Sequence, residues 1–511
     1  MIETTHLLIL GAVVALGLIL LHGRRYDPRE PPMVTNGIPI VGHAFGLLWN
    51  GVGHWGDQAK KHRDKPIIGL DMLVNKFYVV TSPDLVQAVQ RNSKTLTFSP
   101  LLLFSAKSIA GIKNPKSLHI LRDKDAGGEG LGLRIMHSMI PTLVGKPLDK
   151  LNIHMIRLIQ PFIEQLSQTS TFDLYGWCKD ATMAASTEAT YGPLNPYADK
   201  KIQDLWWDFE GGLGLLLPNI WPSLLARKPY YARQQVADAV YKYTQADGHK
   251  QASELANVRF KATMGSGLSL EEYCLLEVSM LLAFVSNTVP AMFWCMFDFH
   301  SRPQLLEELR QEIELNALRV ADDGSHSIDL TSIREKCPLL LSAFQEVLRF
   351  RSNSSPMRIV IKDTLLADKY LLKAGNSVNM PSIPLAQHPD VWGESQAVFD
   401  ERRFMSTGDK QDGRRTGGFM TFGVSPTVCP GRHFASSEIL LLVAMVMLRY
   451  DLEPVGGVWK EPPKVKTSMV SITGPVKGKF PVKPTLREKY AGVKWGFHVE
   501  EGKGQFPLAI G

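Results

Sequence analysis

The stretch FGVSPTVCPGRHFA, Phe422 to Ala435, holds one cysteine followed directly by Pro-Gly and by an apolar run of helical period. The free amide groups at a helix N-terminus carry partial positive charge and favour a thiolate over a thiol. Pro430 is tolerated in a first helical turn, and Gly431 leaves space for a bulky group beside the sulfur. These residues predict that Cys429 is presented as a single soft ligand.

Three interpretations of Cys429 are compatible with these residues alone. A lone cysteine before Pro-Gly is often a small buried residue at the start of a helix. A nucleophilic cysteine would need a base, and no nearby histidine stands out as one. The third interpretation is an axial thiolate for a haem iron. The tripeptide by itself leaves these alternatives open.

The bulk composition narrows the class of protein. The chain has 511 residues, a net charge of +7 and five cysteines. The basic residues are scattered, which suits an acidic partner or an anionic membrane surface and argues against nucleic acid. An odd number of cysteines without a CxxC pair argues against a disulfide framework or a zinc ribbon. We therefore expect the main part of the chain in a reducing compartment.

The N-terminus predicts a membrane tether. The segment LLILGAVVALGLILL, 7–21, has no charge, and Arg24 and Arg25 follow it closely. A cleaved signal peptide would carry its positive charge ahead of the apolar segment. We therefore predict an uncleaved signal-anchor helix over 1–25, with the rest of the chain on the cytosolic side. The prolines of 26–46 predict a stiff, extended connector.

The remaining residues, 47–511, read as one large domain that is mainly α with a smaller β portion. Strand-like patterns occupy 66–82 and 357–380. Amphipathic or apolar helical periodicity is typical of most of the rest. The predicted helices are 151–168, 172–191, 230–260, 269–298, 302–317, 338–351 and 433–449.

The spacing from Phe422-Gly423 to Cys429-Pro430-Gly431-Arg432 resembles the haem-binding loop of the cytochrome P450 superfamily. The resemblance implies the P450 fold and a haem b whose axial thiolate comes from Cys429. Phe422 and Gly431 are implied to contact the cofactor.

The loop departs from the family at Thr427, where an arginine or histidine usually contacts a haem propionate. The implied replacements are Arg358, on the strand that follows the EVLR segment 346–349, and Arg432.

Two further segments resemble P450 signatures. EVLR, ending at Arg349, resembles the ExxR helix, and FDERRF, 399–404, resembles the Phe-x-Pro-x-Arg-Phe segment with Glu401 in place of proline. The resemblance implies a buried network of Glu346, Arg349 and Arg403. Such a network is costly to break, because removing one member strands a charge.

The segment 278–299 is apolar nearly all round, which predicts a buried helix with a kink at Pro290. It resembles the P450 helix that crosses the distal face of the haem. Ser286 stands where that helix usually has an acid, and Asn287 stands where it usually has a threonine, with Thr288 next. An amide donates a hydrogen bond but relays protons poorly. These three residues are the predicted catalytic positions. The run Asn287-Thr288-x-Pro290-Ala291 resembles the branch with cholesterol 7α-hydroxylase and prostacyclin synthase.

The resemblance implies a monooxygenase that inserts an oxygen atom from O2 into a lipophilic molecule such as a terpenoid, a steroid or another secondary metabolite, as in fungal secondary metabolism. Its implied partners are an NADPH–cytochrome P450 reductase and membrane lipid, with no nucleic acid. Its implied location is the endoplasmic reticulum membrane, spanned once. The alternative is a haem-thiolate isomerase or dehydratase that acts on a peroxide without O2 or reductase. A third reading is a membrane-anchored lipid-binding protein in which Cys429 is structural.

Overall fold

The computed structural model describes residues 26–37, 42–72, 75–122, 130–405, 417–465, 468, 471–502 and 504–508. Helices make up most of this part of the chain, as the sequence predicts. The helices of seven or more residues are Gly42–Asn50, Gly53–Lys61, Pro83–Arg91, Ser99–Ser105, Pro115–Arg122, Leu131–Met139, Gly145–Glu164, Leu174–Tyr191, Lys200–Gly211, Arg227–Gln245, Glu254–Met264, Leu270–Val285, Thr288–His300, Pro303–Asn316, Leu330–Lys336, Pro338–Phe350 and Arg432–Arg449.

The β portion consists of one larger sheet and several small ones. The six-stranded sheet runs in the order Met33–Val34, Ile67–Asp71, Lys76–Val80, Ser377–Asn379, Met357–Val360 and Leu96–Thr97. Two three-stranded sheets join Tyr450–Pro454, Pro481–Leu486 and Phe172–Asp173, and Trp495–His498, His326–Asp329 and Leu318–Val320. The strand pairs are Thr364–Leu366 with Tyr370–Leu372, and Gly423–Val424 with Thr427–Val428. Both predicted β regions therefore form strands.

One predicted helix, 230–260, is two helices in the structure. The first ends at Gln245 and the second begins at Glu254. Asp247 takes a positive φ of 58° between them, which ends the helical path. Ser253 then caps the second helix, since its Oγ accepts a hydrogen bond from Ala256 N at 3.3 Å. Periodicity alone missed this interruption, which the backbone turn at Asp247 creates.

The signal-anchor predicted over 1–25 lies outside the described residues. Within the predicted connector, Met33–Val34 pairs in parallel with the first long strand of the main sheet. Glu30 is buried and accepts hydrogen bonds from Lys76 Nζ at 2.7 Å and Tyr78 Oη at 2.8 Å. The helix Gly42–Asn50 crosses the predicted boundary after residue 46. This segment is therefore docked onto the sheet, and its last residues are helical rather than extended.

One helical stretch in the described part of the chain, Leu270–His300, is long and apolar enough to cross a membrane. However, 78% of its most apolar window is buried inside the protein. Every residue of Thr288–His300 is buried, and Trp294 Nε1 donates to Gly474 O at 2.8 Å. The apolar composition of this stretch is therefore explained by its place in the core.

Candidate active site

The cysteine loop, Phe422 to Gly431, is a short hairpin that leads into the helix Arg432–Arg449. Cys429 N donates to Phe422 O at 2.7 Å, which ties the two ends of the loop together. Gly423 has a φ of 96°, and a Cβ at this position would lie 2.7 Å from Thr427 O. The turn therefore requires glycine at position 423. Cys429 is a free thiol, and its residue is exposed to a cavity.

Burial raises the pKa of the Cys429 thiol, although the backbone N–H groups of Gly431 and Arg432 act to lower it. The sequence analysis expected the helix N-terminus to favour a thiolate. In the protein alone, removal of the sulfur from bulk water outweighs the amides, so the thiol form is favoured. A metal cation bound to sulfur reverses this balance, because a coordinating thiol is deprotonated.

Two adjoining cavities meet at Cys429. The larger, of about 440 Å³, is lined mainly by apolar side chains, among them Phe98, Leu101 and Met357. The smaller, of about 70 Å³, lies against Ala283, Phe284 and Ala291 of the long helix. Asn287, Thr421, Phe422, Cys429 and Ile472 line both. The two cavities thus separate the cysteine loop from the helix, and they give an apolar site with one sulfur facing into it.

Arg358 is a buried cation in the wall of the larger cavity, with only 4% of its surface exposed. Its guanidinium donates to Val424 O at 2.6 Å and to Met357 O at 2.9 Å. Burial lowers the pKa of Arg358 to about 10, and no charged neighbour among the described residues counters this. A buried charge of this kind is costly unless an anion pairs with it. The cavity wall therefore suits a ligand with a carboxylate.

Arg432 and Gly431 lie closer to the sulfur. Arg432 is half-buried, lines the smaller cavity and donates from Nη1 to Cys429 O at 3.0 Å. A Cβ at position 431 would touch only Cys429 Sγ, at 4.0 Å, an ordinary contact. The protein itself therefore does not require glycine at position 431. The prediction that glycine at position 431 leaves space for a ligand beside the Cys429 sulfur therefore remains.

The long helix is interrupted at Ser286 and Asn287, between Leu270–Val285 and Thr288–His300. Pro290 has no N–H to offer to Ser286 O, four residues earlier. Ser471 Oγ donates to that carbonyl instead, at 3.1 Å. The kink predicted from Pro290 is thus a full break, and a side chain from a distant loop supports it.

Asn287 lies at this break and lines both cavities. Its Oδ1 accepts a hydrogen bond from Ile472 N at 2.9 Å, which fixes the side chain. This anchoring leaves the Nδ2 donor for a group in the cavity. Asn287 therefore combines a structural contact with a possible contact to a ligand.

Thr288 and Ser286 are placed differently from Asn287. Thr288 is buried beside the smaller cavity, and its Oγ1 donates within the helix to Phe284 O at 2.8 Å. Ser286 lines a separate cavity of about 210 Å³. The structure therefore brings Asn287 and Thr288 together near Cys429 and separates Ser286 from them.

The three residues of the predicted charge network meet in the core. Arg349 donates to both oxygens of Glu346, at 2.7 Å each, and Arg403 Nε lies 3.1–3.2 Å from the same oxygens. Both guanidiniums also donate to backbone carbonyls, those of Ala386 and Val398 among them. One carboxylate thus holds the segment 395–405 against the helix Pro338–Phe350.

The resemblance to the P450 family also implies that the cavity walls come from 95–104, 206–221, 352–357 and 468–474. Residues of 95–104, 352–357 and 468–474 line the larger cavity, whereas residues of 206–221, Glu210 among them, line the cavity around Ser286. Met136 and Met420 line the larger cavity and carry no motif. Lys179, in the cavity around Ser286, was missed because only tertiary packing brings it to this helix.

The residues present fit a haem. One sulfur faces an apolar space, small side chains at Ala283 and Ala291 face it from the helix, and Arg358 provides an unpaired cation for a propionate. Among the described residues, no group of three or more His, Cys, Asp or Glu side chains could hold a metal ion. A metal in this site would therefore depend on a macrocycle and on one protein ligand.

Comparisons with known proteins agree with this geometry. The family model for cytochrome P450 matches residues 157–480. Cytochrome P450 monooxygenase nodJ of Hypoxylon pulicicidum is 37% identical over 96% of this chain and 98% of that protein. The 25-hydroxycholesterol 7-alpha-hydroxylase of Rattus norvegicus is 26% identical over 72% of this chain and 91% of that protein. The solved structure of retinoic acid bound cyanobacterial CYP120A1 shares the fold, with a TM-score of 0.67, 19% identity and coverage of 90% and 99%.

The matched family model covers more than half of the chain, and the similarity to the fungal protein extends over nearly all of it. The chain therefore belongs to the cytochrome P450 family of haem-thiolate oxidoreductases.

Proposed function

We propose that this protein is a membrane-tethered monooxygenase that inserts one oxygen atom from O2 into a lipophilic small molecule. Electrons would come from an NADPH-dependent reductase, since the sequence carries no flavin or NADPH motif. The observation that carries the proposal is the apolar cavity with Cys429 on one side and Asn287 on the other. The fungal relative is named a monooxygenase and the rat relative a 7-alpha-hydroxylase. Both names describe oxygen insertion, which supports the same reaction class for this chain.

Cys429 would provide the axial thiolate, held in place by its N–H bond to Phe422 O and by the following helix. Arg358 would neutralise one propionate, with a contribution from Arg432. When bound, the haem supplies the redox chemistry that activates O2. The apolar walls would limit the access of water, and Asn287 Nδ2 would donate a hydrogen bond across the cavity from Cys429, since Asn287 Oδ1 is held by Ile472 N.

The substrate class follows from the walls of the larger cavity. Phe98, Leu101, Met136 and Met357 offer apolar surface. Ser355 Oγ is a buried hydroxyl without a hydrogen-bond partner among the described residues. Apolar lining with few polar groups suits a terpenoid or sterol-like molecule held by one or two hydrogen bonds. The sterol named for the rat relative is consistent with this class.

The membrane tether is part of the same proposal. A signal-anchor over 1–25 would hold the domain at the endoplasmic reticulum surface, where lipophilic substrates partition. The basic stretch 402–415, of which 402–405 are described, would face an acidic reductase. Removal of 1–25 should release the protein from microsomal membranes, and an unchanged membrane fraction would contradict the tether.

The direct test of the haem assignment is the absorption spectrum of the reduced protein with CO. We expect the red-shifted band of a thiolate–CO complex, and we expect Cys429→Ala to lose it. Cys337→Ala is a matched control because Cys337 is buried elsewhere in the core. A protein without that band, or with a band unaffected by Cys429→Ala, would support the lipid-binding reading instead.

The second candidate function is rearrangement of a peroxide without O2 or reductase. It is favoured by the use of the Asn287 carbonyl and the Thr288 hydroxyl in fixed contacts, and by Phe284 in the smaller cavity. Metabolites should be compared in a host with and without the chain and a reductase. Turnover that requires neither NADPH, reductase nor O2 would replace the monooxygenase assignment.

A further inference from the structure

The cavity around Ser286, of about 210 Å³, is separate from the two cavities at Cys429 and lies along the interrupted helix. Its lining includes Lys179, Trp207, Glu210, Ser286, Pro290 and Ser471. It is large enough for several water molecules, each of which occupies about 30 Å³ in the liquid. Lys179 and Glu210 are half-buried, so this cavity reaches towards solvent. The proposed function uses none of its ionisable groups.

Glu210 is held in a setting that destabilises its charged form relative to a carboxyl in water. Burial raises the pKa of Glu210, and the charge of Lys179 opposes this only in part. The Ser286 hydroxyl faces the carboxyl and also acts to lower that pKa, although its oxygen lies outside good hydrogen-bond geometry. Burial lowers the pKa of Lys179, whose ammonium lies 3.9 Å from the centre of the Trp207 ring. Tyr175 is the other titratable group that lines this cavity.

Ser471 stands between this cavity and the larger one beside Cys429, and it lines both. Its Oγ donates to Ser286 O at 3.1 Å and accepts from Ser468 Oγ at 3.2 Å. Its proton is thus donated to a backbone carbonyl, and a turn of the hydroxyl about its C–O bond would direct that proton to the larger cavity. Ser471 is therefore a polar link through an otherwise apolar wall.

Oxygen insertion consumes protons that the residues nearest the sulfur do not provide. The reaction joins RH, O2, two electrons and two protons to give ROH and water. An amide such as that of Asn287 relays protons poorly, and Thr288 lines the smaller cavity, whose described lining includes no carboxyl side chain. The protons therefore need another source, and an acid linked to solvent can provide them.

We propose that Glu210 is the proton-relay residue of this enzyme, passing protons from solvent to the larger cavity through water and the Ser471 hydroxyl. The inference rests on the proposed monooxygenase function. Each proton that leaves the Glu210 carboxyl is replaced from solvent at the open side of the cavity. Ser471 turns from Ser286 O to give its proton to the larger cavity and receives one from Glu210 through water, so no group changes its net charge over a cycle.

The test compares Glu210→Gln with Asp208→Asn in the haem-loaded, full-length chain with its reductase. Asp208 lies on the same helix, pairs with Lys228 at 2.6 Å and does not line the cavity. We expect Glu210→Gln to slow product formation about 10²-fold, the low end of what a general acid contributes. The electrons should then appear as hydrogen peroxide, and the solvent isotope effect should rise. Glu210→Asp should recover part of the rate, and Asp208→Asn should match the wild type.

Infrared difference spectra of the resting protein give a readout that does not depend on turnover. We expect a protonated carboxyl band that titrates above the pH range of a free carboxyl, disappears in Glu210→Gln and persists in Asp208→Asn. If the wild type forms no product with NADPH, reductase and O2, the proposed function and the relay both fail. If the wild type turns over, and Glu210→Gln matches Asp208→Asn in product yield, isotope effect and infrared band, only the relay is overturned.

Discussion

Arg349 and Arg358 are both buried arginines, with 1% and 4% of their surface exposed, yet their surroundings differ. Arg349 shares the Glu346 carboxylate with Arg403 and also donates to backbone carbonyls. Within the part of the chain that the structure describes, Arg358 donates hydrogen bonds only to carbonyls, and burial lowers its pKa. The first site is electrostatically complete within the protein, whereas the second is complete only with an anionic ligand. The comparison separates a charge that holds the fold from a charge that binds.

The substitution with the largest expected effect is Glu346→Gln, which tests the charge network of Glu346, Arg349 and Arg403. It leaves two buried guanidiniums without their counter-ion, so we expect the free energy of unfolding to fall by about 3–5 kcal/mol. Denaturant unfolding of the haem-free protein measures this. Glu308→Gln is the control, because it removes an exposed ion pair with Arg402 and should cost less than about 1 kcal/mol. Equal losses in the two variants would mean that the network contributes no more than a surface pair.

Glu438 shows a third way to bury an ionisable group. It is fully buried, it accepts from Ser186 Oγ at 2.9 Å, and burial raises its pKa to about 8. An unfolded glutamate loses its proton near 4.5, so the folded state holds more protons between pH 4.5 and 8. Stability must therefore fall as pH rises through this window.

Glu438→Gln removes that titration while it keeps a similar shape. We expect the wild type to lose roughly 3 kcal/mol more than the variant between pH 5 and pH 8, because one pKa unit corresponds to about 1.4 kcal/mol. Unfolding curves of both proteins at several pH values give the difference. Parallel pH profiles would show that Glu438 is ionised in the folded protein and that it has a partner.

The sequence predicted those parts of the site that depend on local spacing. Glu346 and Arg349 lie one helical turn apart, and Cys429 lies directly before its helix, so short-range geometry places them. The resemblance to the P450 family supplied Arg403, since nothing local links it to Glu346. The raised pKa of the Cys429 thiol in the haem-free protein could not be predicted, because burial is a property of the whole fold. The contact of Ser471 with the helix break likewise depends on a loop 185 residues away.

Arg358→Met tests the buried cation that has no anionic partner in the protein. It should weaken haem retention and leave folding unchanged. Removing an unpaired buried charge costs the haem-free protein little, so we expect its unfolding free energy to change by less than about 1 kcal/mol. Loss of a charge-assisted contact should weaken haem binding by about 1.5–3 kcal/mol, or roughly 10–100-fold. Transfer of haem to an excess of an acceptor protein measures retention. If Arg358→Met lowers the free energy of unfolding but retains haem as the wild type does, Arg358 stabilises the fold and does not bind the cofactor.

Arg432→Met should give the smallest effect of the four. Arg432 is half-buried and already donates to Cys429 O, so water screens its charge and one of its donors is used. We expect its loss to weaken haem binding by less than about 1 kcal/mol in the same transfer experiment. Burial thus ranks Arg358 above Arg432, because a propionate gains most from a cation that water does not already solvate. A larger loss in Arg432→Met than in Arg358→Met would reverse that ranking and would place the carboxylate on the sulfur side of the loop.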